Sequence, residues 1–424
     1  MSHLTSREGY THLIERLNHF PLGAPPSQTL HKILSLLFTP KEAELVALLP
    51  IKPFKAEIAA QSWSVSVLEA HKILDTLCSK ALLIDIEQEG SSTYVLPPPM
   101  AGFFEFSLMR TGGHVDQKLI SELFYQYLSV EEEFIKALFT GETKPGRTFV
   151  NENALSPQNS LYVLDYERAS HIIESSKFMG VGLCYCRHKK QHLGTACDAP
   201  LEICMTFGHT AHSLSKHGYT RLVEKSEGLE LLEQAREYKL VQFGENAQNG
   251  VNFICNCCSC CCEALTAARR FAFLNPVETT NFLPQMDLIT CHGCSQCAQA
   301  CPVEAISMVS AHDPQKPKRL KATLDESRCL GCGICVTACK DHVISLKERA
   351  KRIITPVNAA HKTVMMAIER GKLQDLIFDN HALWNHRAMA AILGVLLKLP
   401  PIKQIMASEQ IKSRYFAKLL ADIK

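Results

Sequence analysis

Three absences bound this 424-residue chain before any motif is read. Net charge is the first: 45 basic residues against 43 acidic leave +2, so nothing global draws the chain to nucleic acid or to an anionic membrane. The second is a long hydrophobic run. The longest, Ala388–Leu397, is bounded by Arg387 and Lys398 and falls far short of the ~20 residues that span a bilayer. The third is a secretory leader. The opening MSHLTSREGYTHLIERLNHF has no uninterrupted apolar stretch and no small-residue cleavage site. The expectation is a soluble cytoplasmic protein of two to four domains without a transmembrane segment. Apolar content of 46% and charged content of 21% are ordinary for a globular chain. Cysteine is not ordinary: there are 19. In a chain this long they are not a secreted disulfide scaffold, and their clustering points to metal in a reducing compartment.

Eight of them form two copies of one pattern, CHGCSQCAQACP (Cys291, Cys294, Cys297, Cys301) and CLGCGICVTACK (Cys329, Cys332, Cys335, Cys339). Both read C-x2-C-x2-C-x3-C. Three closely spaced thiolates reach three iron corners of a 4Fe–4S cube from one loop, and the fourth arrives on the following helix. Two separated CxxC knuckles, the usual structural zinc pattern, would look different. In two-cluster ferredoxins the fourth cysteine of each run ligates the other cluster. The expected sets are therefore Cys291, Cys294, Cys297 with Cys339, and Cys329, Cys332, Cys335 with Cys301. Two 4Fe–4S clusters are the expected cofactors.

A second cysteine field lies upstream. VGLCYCRHKKQHLGTACDAPLEIC places Cys184, Cys186, Cys197 and Cys204 close together, and FICNCCSCCCEAL adds Cys255, Cys257, Cys258, Cys260, Cys261 and Cys262. Adjacent cysteines on one strand point to opposite sides, so the second run cannot all face one core. Three readings stand open: a third Fe–S cluster or other metal, a dithiol/disulfide redox site, or structural zinc. The core ligand set expected for a metal is Cys184, Cys186, Cys197 and Cys204. His188, His192, His209, His212 and His217 lie in the same region, each more simply an ordinary histidine than a ligand.

The flanks carry less chemistry. Residues 28–97 read as helices followed by a hairpin (LLIDIEQEGSSTYVLP), with Ser27 as a helix cap, and resemble a winged-helix domain. Six basic residues there face eight acidic ones, a net of −2, and the wing is acidic. Phosphate contact supplies most affinity for DNA, so a docking or structural role is preferred to duplex binding. Residues 98–180 read as an α-rich connector in which Phe103, Phe104 and Phe106 must be buried, with a strand turning into a helix over 162–173. The segment from Lys347 to Lys424 is helical by pattern, with fourteen basic residues against six acidic, a net of +8. It suits an acidic redox protein partner.

Residues 283–347 resemble the bacterial two-cluster ferredoxin domain. The wider pattern of Gly102–Phe106 (GFFEF), Cys184–His188 (CYCRH), Cys197, Cys204 and Asn256–Cys262 (NCCSCCC) resembles a family of multidomain 4Fe–4S ferredoxin-type proteins of anaerobic bacteria and archaea. That resemblance implies cluster binding and electron transfer, without naming a substrate. Lys340 stands where the first motif has Pro302. A cation there would raise the potential of the cluster that Cys339 ligates.

The expected architecture is α+β and multidomain: a winged-helix-like domain (28–97), α-rich connector (98–180), Cys-rich metal or redox domain (181–282), dicluster ferredoxin domain (283–347) and basic helical tail (348–424). The leading function is iron–sulfur electron transfer to a middle-domain centre or a partner oxidoreductase. The alternatives are a redox-sensing transcriptional regulator and a reductive activator of a partner enzyme. Whether the chain is itself an oxidoreductase, and its oligomeric state, stay open.

Overall fold

The computed structural model describes residues 2–379 apart from 89, 114 and 272–274. Glu89 of the wing, the Ala388–Leu397 run and the tail cations Arg387, Lys398, Lys403, Lys412, Arg414, Lys418 and Lys424 lie outside the described residues. The fold is mixed α and β, built of helices and several separate sheets.

Near the N-terminus, helices Gln28–Leu37, Pro40–Ala47, Ala56–Trp63 and Val67–Ser79 accompany strands β1 (Phe54–Lys55), β2 (Ile84–Gln88) and β3 (Ser91–Val95). Ser27 caps its helix by accepting from the Leu30 amide at 3.0 Å, and Leu30, Ile33, Leu34 and Leu37 bury one helical stripe. Thr39 and Glu42 form a reciprocal capping box around Pro40. The three strands pair antiparallel in the order β1-β3-β2. A helix over Ser2–Leu17 precedes them, which the polar opening sequence did not announce. Its Leu13 and Leu17 are fully buried, and its Arg16 Nε donates to the Leu49 carbonyl at 2.6 Å.

The wing is not a free surface. Asp85 on β2 is buried against helix Gly208–Lys216, where Lys216 Nζ reaches its carboxylate at 2.7 Å, His217 Nε2 lies at 3.2 Å and Ser213 donates to it. Glu87 takes a second bond from Lys216 at 2.6 Å. Of the wing acids, Asp85 is thus committed inside the molecule, while Glu87 meets Lys216 at the surface.

A seven-stranded sheet forms the centre. Its strands are β4 (Gly146–Thr148), β5 (Met179–Leu183), β6 (Glu202–Phe207), β7 (Arg221–Leu222), β8 (Val241–Glu245), β9 (Phe253–Cys257) and β10 (Val277–Glu278), in the order β10-β4-β8-β9-β6-β5-β7. All pairs are antiparallel except β10–β4. β4 and the start of β5 come from the stretch expected as an α-rich connector. At three residues β4 is too short to show alternation; it pairs with β8 through Gly146–Glu245, Arg147–Gly244 and Thr148–Phe243, and a Cβ at Gly146 would lie 3.1 Å from the Gly244 carbonyl oxygen. No strand precedes the helix at Ala169–Ser175: Leu161, Tyr162 and Leu164 stay exposed instead of pairing. Phe149, Ile173, Met179, Val181, Met205, Phe207 and Ile254 fill the core of this sheet.

Downstream, β11 (Phe282–Met286) pairs with β14 (Ile344–Glu348), and β12 (Ile306–Ser310) with β13 (Leu320–Leu324), both antiparallel. The chain then folds back as helices Ala359–Glu369 and Leu373–Ile377. Several cations of the expected basic face are consumed here. Lys362 pairs with Glu245 at 2.7 Å, Arg352 with Glu167 at 2.9 Å, and Lys372 donates to the Phe20 carbonyl at 2.8 Å.

Candidate metal centres

The two cysteine loops after β11 and β13 are near-copies. Cys291 and Cys329 each donate their amide to an aspartate carbonyl four residues back, Asp287 and Asp325, at 3.1 Å. Gly293 and Gly331 both take positive φ and pass against a backbone carbonyl: a Cβ would lie 2.3 Å from Leu320 O in one and 2.2 Å from Phe282 O in the other. Only glycine fits there. Ser295 and Gly333 then turn the chain through the left-handed region into short helices, Gln296–Ala300 and Ile334–Ala338, which carry Cys297 and Cys335 inward.

Side chains converge across the copies. A recess is lined by Cys291, Cys294, Cys297 and Cys339, with Met286, Met308, Val343 and Ile344 as apolar walls. Cys329, Cys332, Cys335 and Cys301 form the second neighbourhood, where each thiol raises the cost of ionising the next. Burial, the larger cause, pushes Cys332 up to about 12. Four soft donors and an apolar wall fit a 4Fe–4S cube in each case. The sets differ in exposure. Cys294 is exposed and Cys291 half-buried, whereas Cys329 and Cys335 are buried. Each set has two buried thiols, Cys297 with Cys339 and Cys329 with Cys335; exposed Cys294 makes the first the outward set of the two, and the second, with no exposed thiol, is the inward one.

The ten middle thiols divide differently from the expected four-cysteine core. Cys197 leaves that group and meets Cys258, Cys260 and Cys261, all four sulfurs within 4.8 Å of one another. Its edges include 3.5 Å (Cys197–Cys258), 3.8 Å (Cys197–Cys261) and 3.7 Å (Cys260–Cys261). A tetrahedron with metal–sulfur bonds of about 2.3 Å has edges of about 3.8 Å. These four thiols fit a single tetrahedral ion.

The other six shift one another's ionisation, Cys184 with Cys204, Cys204 with Cys255, Cys255 with Cys257, Cys257 with Cys262, and Cys262 with Cys186. β9 explains the choice. Cys255 and Cys257 share one face of the strand, and Asn256 takes the other, fully buried, donating to the Ile203 carbonyl at 2.8 Å. The turn after β9 sends Cys258, Cys260 and Cys261 away and returns Cys262 as the cap of helix Glu263–Arg270. Cys184 caps helix Tyr185–His192 in the same manner. A helix start favours thiolate, but at Cys184 the Cys204 thiol and then burial outweigh it and push the thiol well above its ordinary value. Cys262 is held well below the usual thiol range by the Cys186 and Cys257 thiols and by the Leu265 and Ala264 amides.

Charged side chains surround the six. Arg187, nearly fully buried, lies between the two thiol groups: Cys184, Cys204 and Cys258 all sit beside its guanidinium, and it donates to the Asn256 carbonyl at 2.5 Å. The Cys261 thiol and then Arg187 hold Cys258 far below the ordinary thiol value. Lys189 and Glu263 form a buried pair next to Cys262. Glu105, from GFFEF, stands beside Cys262 and Cys184; burial first, then these thiols, push its carboxyl up to about 8. Glu105 and Arg187 were within the quoted motifs, but nothing in the sequence said that they face thiols. The histidines make other contacts. His188 bonds the Leu108 carbonyl at 2.7 Å and the His192 ring at 3.2 Å, His209 meets Gln88 at 3.1 Å, and His217 meets Asp85. His212 meets the Phe178 ring at a tilt of 53°, centroids 5.3 Å apart.

The six-thiol group also touches the inward ferredoxin set. Cys257, Cys262 and Cys255 pack in one apolar cluster with Leu265, Val303, Leu330, Cys329, Cys332 and Cys301. No curated protein matches the chain, and no solved structure does. Among family models, residues 290–352 match the 4Fe-4S dicluster domain, which makes this an iron–sulfur protein with a ferredoxin-like domain.

Proposed function

We propose that this chain is an electron-transfer protein carrying two 4Fe–4S clusters, in which electrons move between the outward cysteine set and the middle region through the inward set. The observation that carries this reading is the packing order: outward set, inward set, then one apolar cluster shared with Cys255, Cys257 and Cys262. When bound, each cluster supplies a one-electron redox couple with all four iron corners closed by thiolate. The residues do the rest. Exposed Cys294 opens the first site to a partner, and exposed Lys316 and Lys318 beside Cys291 and His292 favour an acidic one. Leu330, Val303 and Leu265 keep water from the inner path.

The test is freeze-quench spectroscopy on the anaerobic holoprotein with a low-potential donor. Parent protein should reduce the dicluster and then the middle region. Cys335→Ser, which removes an inward ligand, should leave the outward set reducible and slow the middle region at least tenfold. Equal rates in both proteins would sink the relay.

A second reading has one observation in its favour. The helix–helix–strand–helix–helix–hairpin order of residues 28–97 suits a winged helix, and its wing is tied by Asp85 to Lys216 of the thiol region. A redox-sensing regulator would use such a tie. Selection of random duplex DNA on holo and metal-free protein separates the readings, since a recovered consensus would favour the regulator.

A further inference from the structure

Four thiols outside the ferredoxin-like loops stand at metal-bonding separations, and two segments far apart in sequence supply them. Cys258, Cys260 and Cys261 lie in the turn after β9, and Cys197 in the loop that joins helix Tyr185–His192 to β6. All four sulfurs lie within 4.8 Å of one another, with separations of 3.5, 3.7 and 3.8 Å among them. One ion with metal–sulfur bonds of about 2.3 Å sets tetrahedral edges of about 3.8 Å. A cube puts each thiolate on a different iron, so its four sulfurs stand farther apart than this. The group suits a single ion and leaves it no open position.

Placement in the fold selects the ion. None of the four belongs to the apolar cluster in which Cys255, Cys257 and Cys262 meet the inward ferredoxin set. Cys258 packs instead with Ile203, Ala235 and Leu240, a separate small cluster. An ion here stands off the inner path, and zinc, which has no redox chemistry and no geometry of its own to impose, suits such a closed site. Packing does little to hold the Cys197 loop. From 193 to 201 no side chain is buried, and Ala199 leans on the same small cluster. Backbone contacts hang its far end from the body: the Cys184 amide donates to the Leu201 carbonyl at 2.7 Å, and Arg187 donates to the Pro200 carbonyl. Arg187 also donates to the Asn256 carbonyl of β9, so one buried cation joins the two segments that carry the thiols. Arg269 holds the turn itself, at the Ser259 carbonyl, 2.8 Å.

We propose that Cys197, Cys258, Cys260 and Cys261 bind one structural zinc ion, which staples the 193–201 loop to the turn after β9. The ion replaces the apolar anchor that the loop does not have, and its binding free energy becomes folding free energy for these two segments. The turn it fixes runs directly into Cys262 and helix Glu263–Arg270. The staple therefore sets where the strand's end hands over to the helix, without carrying an electron itself. It goes beyond the electron-transfer reading and stands whether or not that reading holds.

The test uses the full chain, expressed in iron-supplemented medium and purified anaerobically with its clusters in place. Metal analysis should give about one zinc per chain besides the iron, and the zinc X-ray absorption spectrum should show four sulfurs at about 2.3 Å. Cys260→Ser changes an exposed side chain. That variant should lose its zinc to a chelator that leaves the parent loaded, with cluster iron unchanged. In hydrogen exchange it should lose protection over residues 193–201 and 258–262, while β6 and β9 keep theirs. Should it fail to fold, the parent's zinc count and sulfur shell still decide. Iron or copper in the four-sulfur site, or no metal and four freely alkylated thiols, would overturn the proposal. So would zinc that Cys260→Ser retains and Cys204→Ser loses, which would return the ligand set to the cysteines around Cys184. Zinc loss with unchanged exchange in the loop would refute the staple.

Discussion

The ferredoxin-like region and the thiol-rich region solve one problem, gathering thiolates, by opposite routes. In the first, three ligands of each set lie within seven residues and only the fourth crosses over from the other copy. In the second, six thiols come from a helix cap, a helix, β6, β9 and a second helix cap, and their neighbours in sequence often serve the other site. A loop-built site needs few structural supports, because its spacing imposes the geometry. A site assembled from five elements exists only once the sheet has formed. The middle site should therefore be held by its fold, and the ferredoxin-like fold by its metal.

Removing iron with a chelator under anaerobic conditions tests that contrast with the largest effect. Where metal binding is folding free energy it reaches on the order of 10 kcal/mol. The expected result in hydrogen exchange is loss of protection across β11–β14, whose core is largely ligands such as Cys297, Cys335 and Cys339. β5, β6, β8 and β9 should keep theirs, since Phe149, Val181, Met205 and Ile254 pack without a thiol. Equal loss in both regions would break the comparison.

Glycine substitutions sharpen it. Gly331→Ala puts a Cβ 2.2 Å from the Phe282 carbonyl oxygen, and Gly194→Ala in the thiol region meets open space at a similar φ of +70°. The first should cost about 3 kcal/mol or more and lower dicluster iron, the second only the left-handed penalty of about 1 kcal/mol. Thermal melts with iron counts read both.

The tie between wing and thiol region should be worth less. Asp85→Asn removes the negative charge and one of the two oxygens that accept from Ser213, Lys216 and His217, and is expected to cost about 2 kcal/mol. Burial alone would raise the Asp85 pKa, but the bonds from His217, Lys216 and Ser213 outweigh it and hold the carboxyl well below its usual value. Its contribution is therefore complete above about pH 4 and drains as pH falls through the lowered folded value. Parent and variant melting temperatures should converge in acid, and a gap that widens there would contradict the assignment. Smallest of all, Lys316→Glu with Lys318→Glu should slow association with an acidic redox partner several-fold, with the difference fading as salt rises.

The repeated C-x2-C-x2-C-x3-C spacing, the capped helices at Ser27 and Thr39 and the burial of Phe103, Phe104 and Phe106 were legible because each depends on residues a few positions apart. β4, with three residues, and the helix at Ser2–Leu17 were not, because their partners lie far along the chain. The sequence by itself determined that iron–sulfur loops exist and that strand alternation must divide the CNCCSCCC run. Which thiol joins which was decided by tertiary structure alone. The turn after β9 carries Cys258 to Cys197, and the helix beyond it brings Cys262 back to Cys186. Metal coordination is a short-range, directional interaction, so distance in space sets the ligand group, and only the folded sheet sets that distance.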